Sequence, residues 1–370
     1  MKRRLCVLMT LAALVCAACF FSLHSYAYID EYQFLAGYRQ ITYNDSNGLP
    51  SCEINAMTQT SDGYIWIGTY KGLTRFDGTS FVTFGEKEGF TGNSVRVLFE
   101  DSRKRLWIGT NDDGVILYNH GKFTVYNTDS GIRSNSIRAI AEDKDGNIIC
   151  GSSDGLFLIS PADEIRKPKD KRAAELYVVS LDIDEAGNIY AVSNAGQFYF
   201  CDVDRTFWDC SKMGGLGKYE LTDVCAIDEK TVLLGTAEDI VIKAFIDTEN
   251  KKVSVEKYLT PNRTNIYKIY PDVNDSEKIW ICCQNGIGYF DSGMNFTAVD
   301  GLAIKSAVNN MFADYEGNYW ISSTAYGVIE LTKSVCTDYF FANNLETTPV
   351  NAVTEYYGEI YIGTDSGLTI

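Results

Sequence analysis

The sequence contains few histidines and few prolines, and the shortage of histidine limits the chemistry open to it. Among 370 residues there are 2 histidines and 6 prolines. His24 lies in an apolar N-terminal segment, and His120 lies in "NHGK", which is typical of an exposed turn. A single histidine outside the N-terminal segment cannot form a multi-histidine metal site, and a turn is a poor position for the base of a Ser-His-acid triad. We therefore expect no metal site and no catalytic residues.

Basic residues are also scarce relative to acidic ones. The chain has 33 Lys and Arg against 49 Asp and Glu, a net charge of −16. Residues 1–27 contain three basic and no acidic side chains, so the remainder carries −16 − 3 = −19. Such a surface repels phosphate backbones and anionic lipid headgroups. Nucleic acid is therefore excluded as an expected partner, and contact with a membrane is expected only through the N-terminal segment or a transmembrane segment absent from this sequence.

Beyond the N-terminal segment the sequence has no long hydrophobic run. Lys2, Arg3 and Arg4 precede an apolar stretch at 5–23, and Ser25-Tyr26-Ala27 supplies a small-x-small cleavage site. This pattern predicts a signal peptide at 1–27 and export to the periplasmic or extracellular face of the cytoplasmic membrane. An uncleaved anchor is the alternative.

Outside the N-terminal segment the cysteines show no Cys-x-x-Cys spacing. Three of the 11 lie in the N-terminal segment, and most of the others fall within apolar runs. Such cysteines are typically small buried hydrophobic residues. Cys201 and Cys210 flank a predicted hairpin, "CDVDRTFWDC", and a disulfide between them remains open.

One phrase recurs along the chain. "DGYIWIGTYKGLTRFDG" at 62–78 is followed by "RKRLWIGTNDDGVILYN" at 103–119. Positions equivalent to Trp66 recur at intervals of 40 to 47 residues. They are Trp66, Trp107, Ile149, Tyr190, Leu233, Trp280, Trp320 and Tyr361. Repeats of about 40–50 residues built from short strands are typical of a β-propeller with one four-stranded blade per repeat. We predict that the large side chain fills the wedge between blades and that Gly68 allows close backbone approach.

Two closures of the ring are compatible with the sequence. Residues 38–43 resemble a lone fourth strand, which completes either the seventh or the eighth repeat. The predicted fold is an all-β propeller at 28–336 with seven blades favoured, and 337–370 begins a further repeat or a second propeller. Eight blades remain the alternative, because repeat eight has three strands and lacks the fourth.

The repeated phrase resembles the two component regulator propeller repeat. So does the segment "YRQITYNDSNGLPSCEINAMTQTSDGYIWIGT" that leads into the first copy. The resemblance covers about residues 38–370 and weakens in the fourth and fifth repeats, where Val192 replaces the Gly68 equivalent or the Gly72 equivalent is lost. It implies the extracytoplasmic sensor of a bacterial receptor, with a histidine kinase or diguanylate cyclase output that this sequence does not contain. It also allows for a homodimer in the full receptor.

The remaining candidates for function are polar and aromatic residues in loops predicted to share the top face of the propeller. These loops join the fourth strand of one blade to the first strand of the next, and the second strand of a blade to its third. The ligand-binding candidates are Tyr70, Lys71, Asn93, Asn111, Asp112, Asp113, Asn135, Asn265 and Tyr326. Amide, carboxylate and aromatic groups suit a small molecule or oligosaccharide.

Catalytic and cofactor-dependent readings are less favoured. The glycines lie one or two per repeat at turns and form no phosphate-binding loop, so no cofactor is expected. A glycan hydrolase or lyase and a secreted interaction scaffold remain the alternatives to a non-catalytic sensor. A sialidase-like enzyme would need three arginines at its site, and no such trio is evident in the sequence. A streptogramin-lyase-like enzyme would need a histidine that faces the central channel of the propeller, and the sequence offers none.

Overall fold

A computed structural model describes residues 34–35, 37–168, 170–202, 206–304, 306–334 and 349–370. The predicted signal peptide and Cys336 lie outside these residues. The described chain is dominated by antiparallel sheets, in agreement with the all-β prediction. No helix among the described residues has the length and apolar character needed to span a bilayer.

The strands form seven sheets of four and one sheet of three. The strands of the first four blades, preceded by a lone N-terminal strand, are β1 (Tyr38–Tyr43); β2 (Ile54–Gln59), β3 (Ile65–Thr69), β4 (Gly72–Phe76) and β5 (Phe81–Phe84) in blade one; β6 (Val95–Glu100), β7 (Leu106–Thr110), β8 (Val115–Asn119) and β9 (Lys122–Tyr126) in blade two; β10 (Ile137–Glu142), β11 (Ile148–Ser152), β12 (Gly155–Ile159) and β13 (Ile165–Arg166) in blade three; β14 (Val178–Ile183), β15 (Ile189–Ser193), β16 (Phe198–Cys201) and β17 (Phe207–Asp209) in blade four.

The remaining strands continue the same pattern. They are β18 (Leu221–Ala226), β19 (Thr231–Thr236), β20 (Ile240–Asp247) and β21 (Lys252–Leu259) in blade five; β22 (Ile266–Pro271), β23 (Ile279–Cys283), β24 (Gly286–Phe290) and β25 (Phe296–Val299) in blade six; β26 (Val308–Ala313), β27 (Tyr319–Ser323) and β28 (Val328–Lys333) in blade seven; and β29 (Val350–Tyr356), β30 (Glu359–Thr364) and β31 (Gly367–Thr369) in the three-stranded sheet. Among the described residues, the short helices include α1 (Lys171–Glu175) and the 3-10 turns at Glu86–Glu88, Thr128–Ser130 and Met213–Lys218.

The seven four-stranded sheets close into a ring. The first strand of each blade contacts the first strand of the next, and β2 of blade one contacts β26 of blade seven. The first strands therefore surround the axis of the ring. Strand β1 completes the seventh sheet in the order β1-β28-β27-β26. Tyr43 donates a hydrogen bond to Glu330 at 2.8 Å, and Gln40 accepts one from the Ala303 amide at 2.9 Å. This is the closure that the seven-bladed scheme requires.

The chain divides into two units, residues 40–332 and residues 1–39 with 333–370. In the second unit the three-stranded sheet keeps many apolar side chains exposed, among them Val353 at 62% and Leu368 at 65%. Ile362 is the buried apolar side chain of its second strand. That 337–370 begins a further repeat or a second propeller stays a prediction.

The repeated aromatic side chain packs between blades, as predicted. Trp66 is 1% exposed and lies in a cluster with Val95, Leu106 and Ile108 of the next blade. A Cβ atom on Gly68 would overlap the Val95 side chain, so a larger residue there would push β3 of blade one away from β6 of blade two.

The indole of the phrase also has a polar partner. The Nε1 atoms of Trp107, Trp280 and Trp320 donate hydrogen bonds of 2.8–2.9 Å to buried aspartates in the turn that precedes the strand. These aspartates are Asp101, Asp272 and Asp314. The carboxylate also accepts backbone N–H groups of the turn, as Asp314 does from Glu316 and Asn318. The acidic residues of these turns are therefore structural.

The described cysteines are mostly buried. Cys150, Cys282 and Cys283 are fully buried, and burial raises the pKa of the Cys283 thiol to about 12. Cys201 and Cys210 are also buried, and no disulfide joins them, so the bridge left open by the sequence is not formed. Burial likewise raises the pKa of the Cys210 thiol to about 12, which makes it a poor nucleophile.

Candidate functional site

The top face is formed where the first strands begin, and the two sets of loops meet there. The Ser94 amide donates to the Tyr70 carbonyl at 3.2 Å, which joins the start of blade two to the second-to-third-strand loop of blade one. Within blade two, the Asn111 amide donates to the Ser94 carbonyl at 3.0 Å. The same link joins Thr324 to Ala307 in blade seven. Each blade thus presents its polar loop beside the mouth of the ring.

Several of the predicted ligand-binding residues stabilise these loops. The Asp113 carboxylate accepts a hydrogen bond from the Asn93 amide at 3.0 Å, and Asn135 accepts one from the Thr128 amide at 2.9 Å. Asn265 adopts a left-handed backbone with φ of 52°. Its side chain donates to the Tyr267 hydroxyl at 3.0 Å. These side chains therefore have a structural use that leaves fewer atoms for a ligand.

Other predicted residues face solvent. Tyr70 is 44% exposed and Tyr326 is 46% exposed, and Lys71 and Asp112 are also exposed. Asp112 accepts a hydrogen bond from the adjacent Asn111 side chain at 2.9 Å. Hydrogen bonds join Asn93 with Asp113 and Asn111 with Asp112; none among the described residues joins Tyr326 or Asn265 to the other predicted side chains.

Sequence reasoning missed two arginines at this face. Arg96 and Arg138 are the second residues of β6 and β10, where a register shift in the pairing marks a β-bulge. The Arg96 guanidinium lies 4.7 Å from the centroid of the Tyr70 ring. The Nε atoms of Arg96 and Arg138 are buried and have no hydrogen-bond partner. The signal was present as a repeated tetrapeptide, "NSVR" at 93–96 and "NSIR" at 135–138.

A second missed group lies further along the first strands of blades four to six. The Lys268 ammonium is 3.9 Å from the Asp223 carboxylate, which also accepts hydrogen bonds from the Ser180 hydroxyl and the Ile269 amide. Asp182, from the first strand of blade four, accepts a hydrogen bond from the Ala226 amide at 2.8 Å. This acid–lysine cluster, defined as Asp182, Asp223 and Lys268, joins three consecutive blades.

The electrostatics of the cluster are mixed. Burial raises the pKa of Asp182, and the positive charge of Lys268 opposes that rise. The Asp223 carboxylate raises the pKa of Lys268, so the lysine remains charged at neutral pH. Burial also raises the pKa of the neighbouring Cys225 thiol. A permanently protonated lysine is a poor general base, and the cluster is best described as a link between blades.

The described residues offer no arrangement typical of a catalytic or metal site. They contain no group of three or more His, Cys, Asp or Glu side chains that could hold a metal ion. His120 is exposed in the turn between β8 and β9 and has a φ of 46°. That turn joins the outer strands of blade two, away from the first strands. The top face presents hydrogen-bonding and aromatic groups, and within the described ranges no acid and base are positioned together there.

The repeats match a known family model. The model for "Two component regulator propeller" matches residues 48–71, 89–112 and 131–154. No curated protein matches the chain at a significant level.

Solved structures share the fold at low sequence identity. The extracellular domain of a protein described as a hybrid two component system from B. thetaiotaomicron is 18% identical, with a TM-score of 0.69 over 90% of this chain and 49% of that one. The extracellular domain of a protein described as a one component system from the same organism is also 18% identical, with a TM-score of 0.62 over 90% and 45%. The chain thus spans about half the length of these two domains.

An enzyme shares the fold as well. Virginiamycin B lyase from Staphylococcus aureus, solved with quinupristin as a catalytically inactive histidine-to-alanine variant, is 13% identical, with a TM-score of 0.64 over 80% of this chain and 99% of that one. At such identities the likeness shows the fold alone. The family model adds what the fold does not: residues 48–71, 89–112 and 131–154 match the two component regulator propeller model, and they contain the first two strands of each of the first three blades.

Proposed function

We propose that this chain is the ligand-binding, non-catalytic part of an extracytoplasmic sensor in a bacterial signal-transduction receptor. The observation that carries the proposal is the match of three repeats to the two component regulator propeller model, in a fold that aligns with the extracellular domain of a protein described as a hybrid two component system along 90% of the chain. The signal would pass to a cytoplasmic kinase or cyclase output in the same receptor, on the other side of the membrane. A homodimer of the receptor would provide the two-state element that such signalling needs.

The ligand we propose is a small molecule or oligosaccharide held at the top face. Exposed tyrosines such as Tyr70 and Tyr326 offer flat surfaces for sugar rings, and Lys71 and Asp112 offer charged hydrogen-bonding groups. The loops that carry them are fixed by backbone hydrogen bonds, so the surface is pre-organised before the ligand arrives.

The second candidate is a lyase, because the lyase fold aligns along 99% of its own length. The inactive variant of that enzyme is a histidine substitution. In this chain His120 is the one histidine in the described residues, and it sits in an exposed turn between outer strands. The two candidates therefore differ in whether a chemical step follows binding.

The test combines binding with turnover on the same preparation. Titrate the chain with oligosaccharides from several plant and host glycans by calorimetry, and then analyse the recovered probe for cleavage. We expect binding of at least one class with the probe recovered intact. Turnover that disappears in Asp112→Asn or Asp113→Asn would favour the enzyme instead. Binding of proteins from a defined panel without any oligosaccharide would favour a scaffold.

A further inference from the structure

Arg96 and Arg138 occupy equivalent positions in neighbouring blades. Each is the second residue of a first strand, and each lies at a β-bulge. The two strands contact one another across the blade boundary. Both side chains therefore start from the same level of the ring, beside the top face.

Neither guanidinium has an acidic partner. Among the described residues, neither forms a hydrogen bond or an ion pair, and their buried Nε atoms lack an acceptor. Five other arginines of the described chain are paired with carboxylates: Arg105 with Asp101, Arg133 with Asp154, Arg166 with Glu164, Arg172 with Asp170 and Arg263 with Asp300. The Nε atom of Arg75 also lacks an acceptor, but its guanidinium lies 4.0 Å from the centroid of the Tyr64 ring. A buried donor without an acceptor is destabilising. In a chain with a net charge of −16, two unpaired arginines at one face are unusual.

The equivalent position serves a structural purpose in other blades. The Asn55 side chain donates to the Val95 carbonyl of the next blade at 2.8 Å. Thr222 donates to the Ile266 carbonyl of the next blade at 2.5 Å. Arg96 and Arg138 form no such bond among the described residues, so their donors are left for another acceptor.

The geometry points to Arg96 and Arg138 as an oxyanion subsite, which would bind the carboxylate or sulfate group of an acidic sugar. The inference rests on the proposed function, because it assigns a chemical class to the ligand of the same face. Guanidinium groups present parallel N–H donors that match the two oxygens of a carboxylate or sulfate. The Tyr70 ring stacks against Arg96 and holds it in place, while 44% of Tyr70 remains exposed for a sugar ring.

Acidic residues nearby make the subsite selective. Asp112 and Asp113 lie in the loop of blade two, and the Asp113 carboxylate already accepts a hydrogen bond from the Asn93 amide. The negative charges of these carboxylates offset the positive charges of the arginines. An anion is therefore not attracted by a broad positive potential and must be held by direct hydrogen bonds to the arginines. Ligands without an oxyanion would leave both guanidinium groups unpaired.

The experiment compares acidic and neutral probes of the same length. Titrate the chain by calorimetry with uronic acid oligosaccharides, sulfated oligosaccharides and their uncharged counterparts. We expect one acidic class to bind at least about tenfold more tightly than its neutral counterpart, since a charged hydrogen bond is lost with the latter. Arg96→Gln and Arg138→Gln should each weaken acidic binding by about tenfold and reduce the preference for the acidic probe over its neutral counterpart.

Arg166→Gln is the matched control, since it removes an exposed arginine from an outer strand of blade three. It should bind as the parent does, and circular dichroism melts should show that all three variants are folded. A second readout is protection from an arginine-specific reagent, measured by peptide mass spectrometry, in which inorganic sulfate should protect Arg96 and Arg138 and not Arg166.

The outcomes separate the subsite from the proposed function. Binding of neutral probes that equals or exceeds that of acidic ones would overturn the subsite and leave the sensor proposal standing. The same conclusion would follow from acidic binding that is unchanged in both arginine variants. Failure of every oligosaccharide to bind, with no protection by sulfate, would overturn both the subsite and the proposed ligand class.

Discussion

The repeated tryptophan shows how one residue can fix a fold and still carry no function. Trp107 is fully buried, and its Nε1 atom donates to the Asp101 carboxylate at 2.8 Å. Asp101 also pairs with Arg105 at 2.7 Å. The residue therefore combines apolar packing between blades with one satisfied hydrogen bond. Its packing between blades could be predicted from the sequence, because a large side chain recurs at regular spacing. Its hydrogen bond to an aspartate could not, because the sequence identifies that aspartate only as a turn residue.

Trp107→Ala should destabilise the protein by about 3–5 kcal/mol, because it leaves a cavity between blades and removes the donor to Asp101. Urea unfolding followed by circular dichroism measures the change. Trp208→Ala is the control, since Trp208 is only partly buried on an outer strand and its Nε1 atom has no partner. An equal loss in the two variants would contradict the interblade role of Trp107.

Lys268→Met should destabilise the chain by about 1 kcal/mol at neutral pH, a small effect because the lysine is 40% exposed and its ion pair with Asp223 is long. The raised pKa of Lys268 means that its contribution is present below the ordinary lysine pKa and is lost as pH rises through the folded-state value. In the variant, the pKa of Asp182 should rise further, because the lysine charge that lowered it is gone.

This shift gives a pH signature. A carboxyl whose folded-state pKa is raised binds more protons in the folded state, so its stability contribution improves as pH falls. The deficit of Lys268→Met should therefore be larger at about pH 8 than at about pH 5 in urea titrations. Lys122→Met, an exposed lysine on an outer strand, should show no such difference. A deficit that is independent of pH would show that Asp182 does not respond to the lysine charge.

At the scale of the element, blades are joined by side chains that reach from one first strand to the turn of the blade before it. Glu142 accepts hydrogen bonds from the Ser102 amide at 2.7 Å and the Ser102 hydroxyl at 2.8 Å. Glu100 makes the same pair of contacts with Ser61. Strand order and hairpin turns followed from the repeat, whereas these links did not, because they depend on which blade lies beside which.

Glu142→Ala should destabilise the protein by about 0.5–1.5 kcal/mol, since a charged acceptor for two donors is lost at the boundary of blades two and three. Thermal melts of the purified variant measure it. Glu164→Ala removes a carboxylate from an exposed pair with Arg166 and should change stability by less. A larger loss for Glu164→Ala would mean that the contact between blades adds nothing.

Some top-face residues could be predicted from the sequence and others could not, because the first depend on neighbours along the chain and the second depend on the folded ring. Asn and Asp residues could be assigned to loops from the sequence because turn chemistry is local. That they bind a ligand stays a prediction. Arg96 and Arg138 were missed because their importance comes from the absence of partners, and partners are set by the folded ring. The repeated "NSVR" and "NSIR" tetrapeptides show that even here a sequence signal existed.

At the scale of the whole molecule, closure depends on the N-terminal strand. Strand β1 pairs with β28, and Tyr43 stacks on Trp320 with ring centroids 5.7 Å apart. Both seven and eight blades were compatible with the sequence, because the N-terminal strand could serve as the fourth strand of either the seventh or the eighth repeat. Pairing across nearly the full chain decides between them, and no local pattern encodes it.

Deleting 345–370 should therefore leave the melting temperature of the ring unchanged, because the strands that close it are β1 and β26–β28. Deleting 28–43 is the matched deletion; it removes β1, exposes the edge of β28 and should lower the melting temperature or cause aggregation. Calorimetry of the two truncated chains makes the comparison. Unfolding of the first and tolerance of the second would point to eight blades.

Native mass spectrometry of the chain mixed with an oligosaccharide digest tests most directly whether the molecule is a binding protein and not an enzyme. It reports the mass of the bound probe and any change in that mass over time. The account predicts a complex with an intact acidic oligosaccharide, stable over hours and weakened in Arg96→Gln and Arg138→Gln. A complex that decays into shortened or eliminated products, or the absence of any complex, would contradict it.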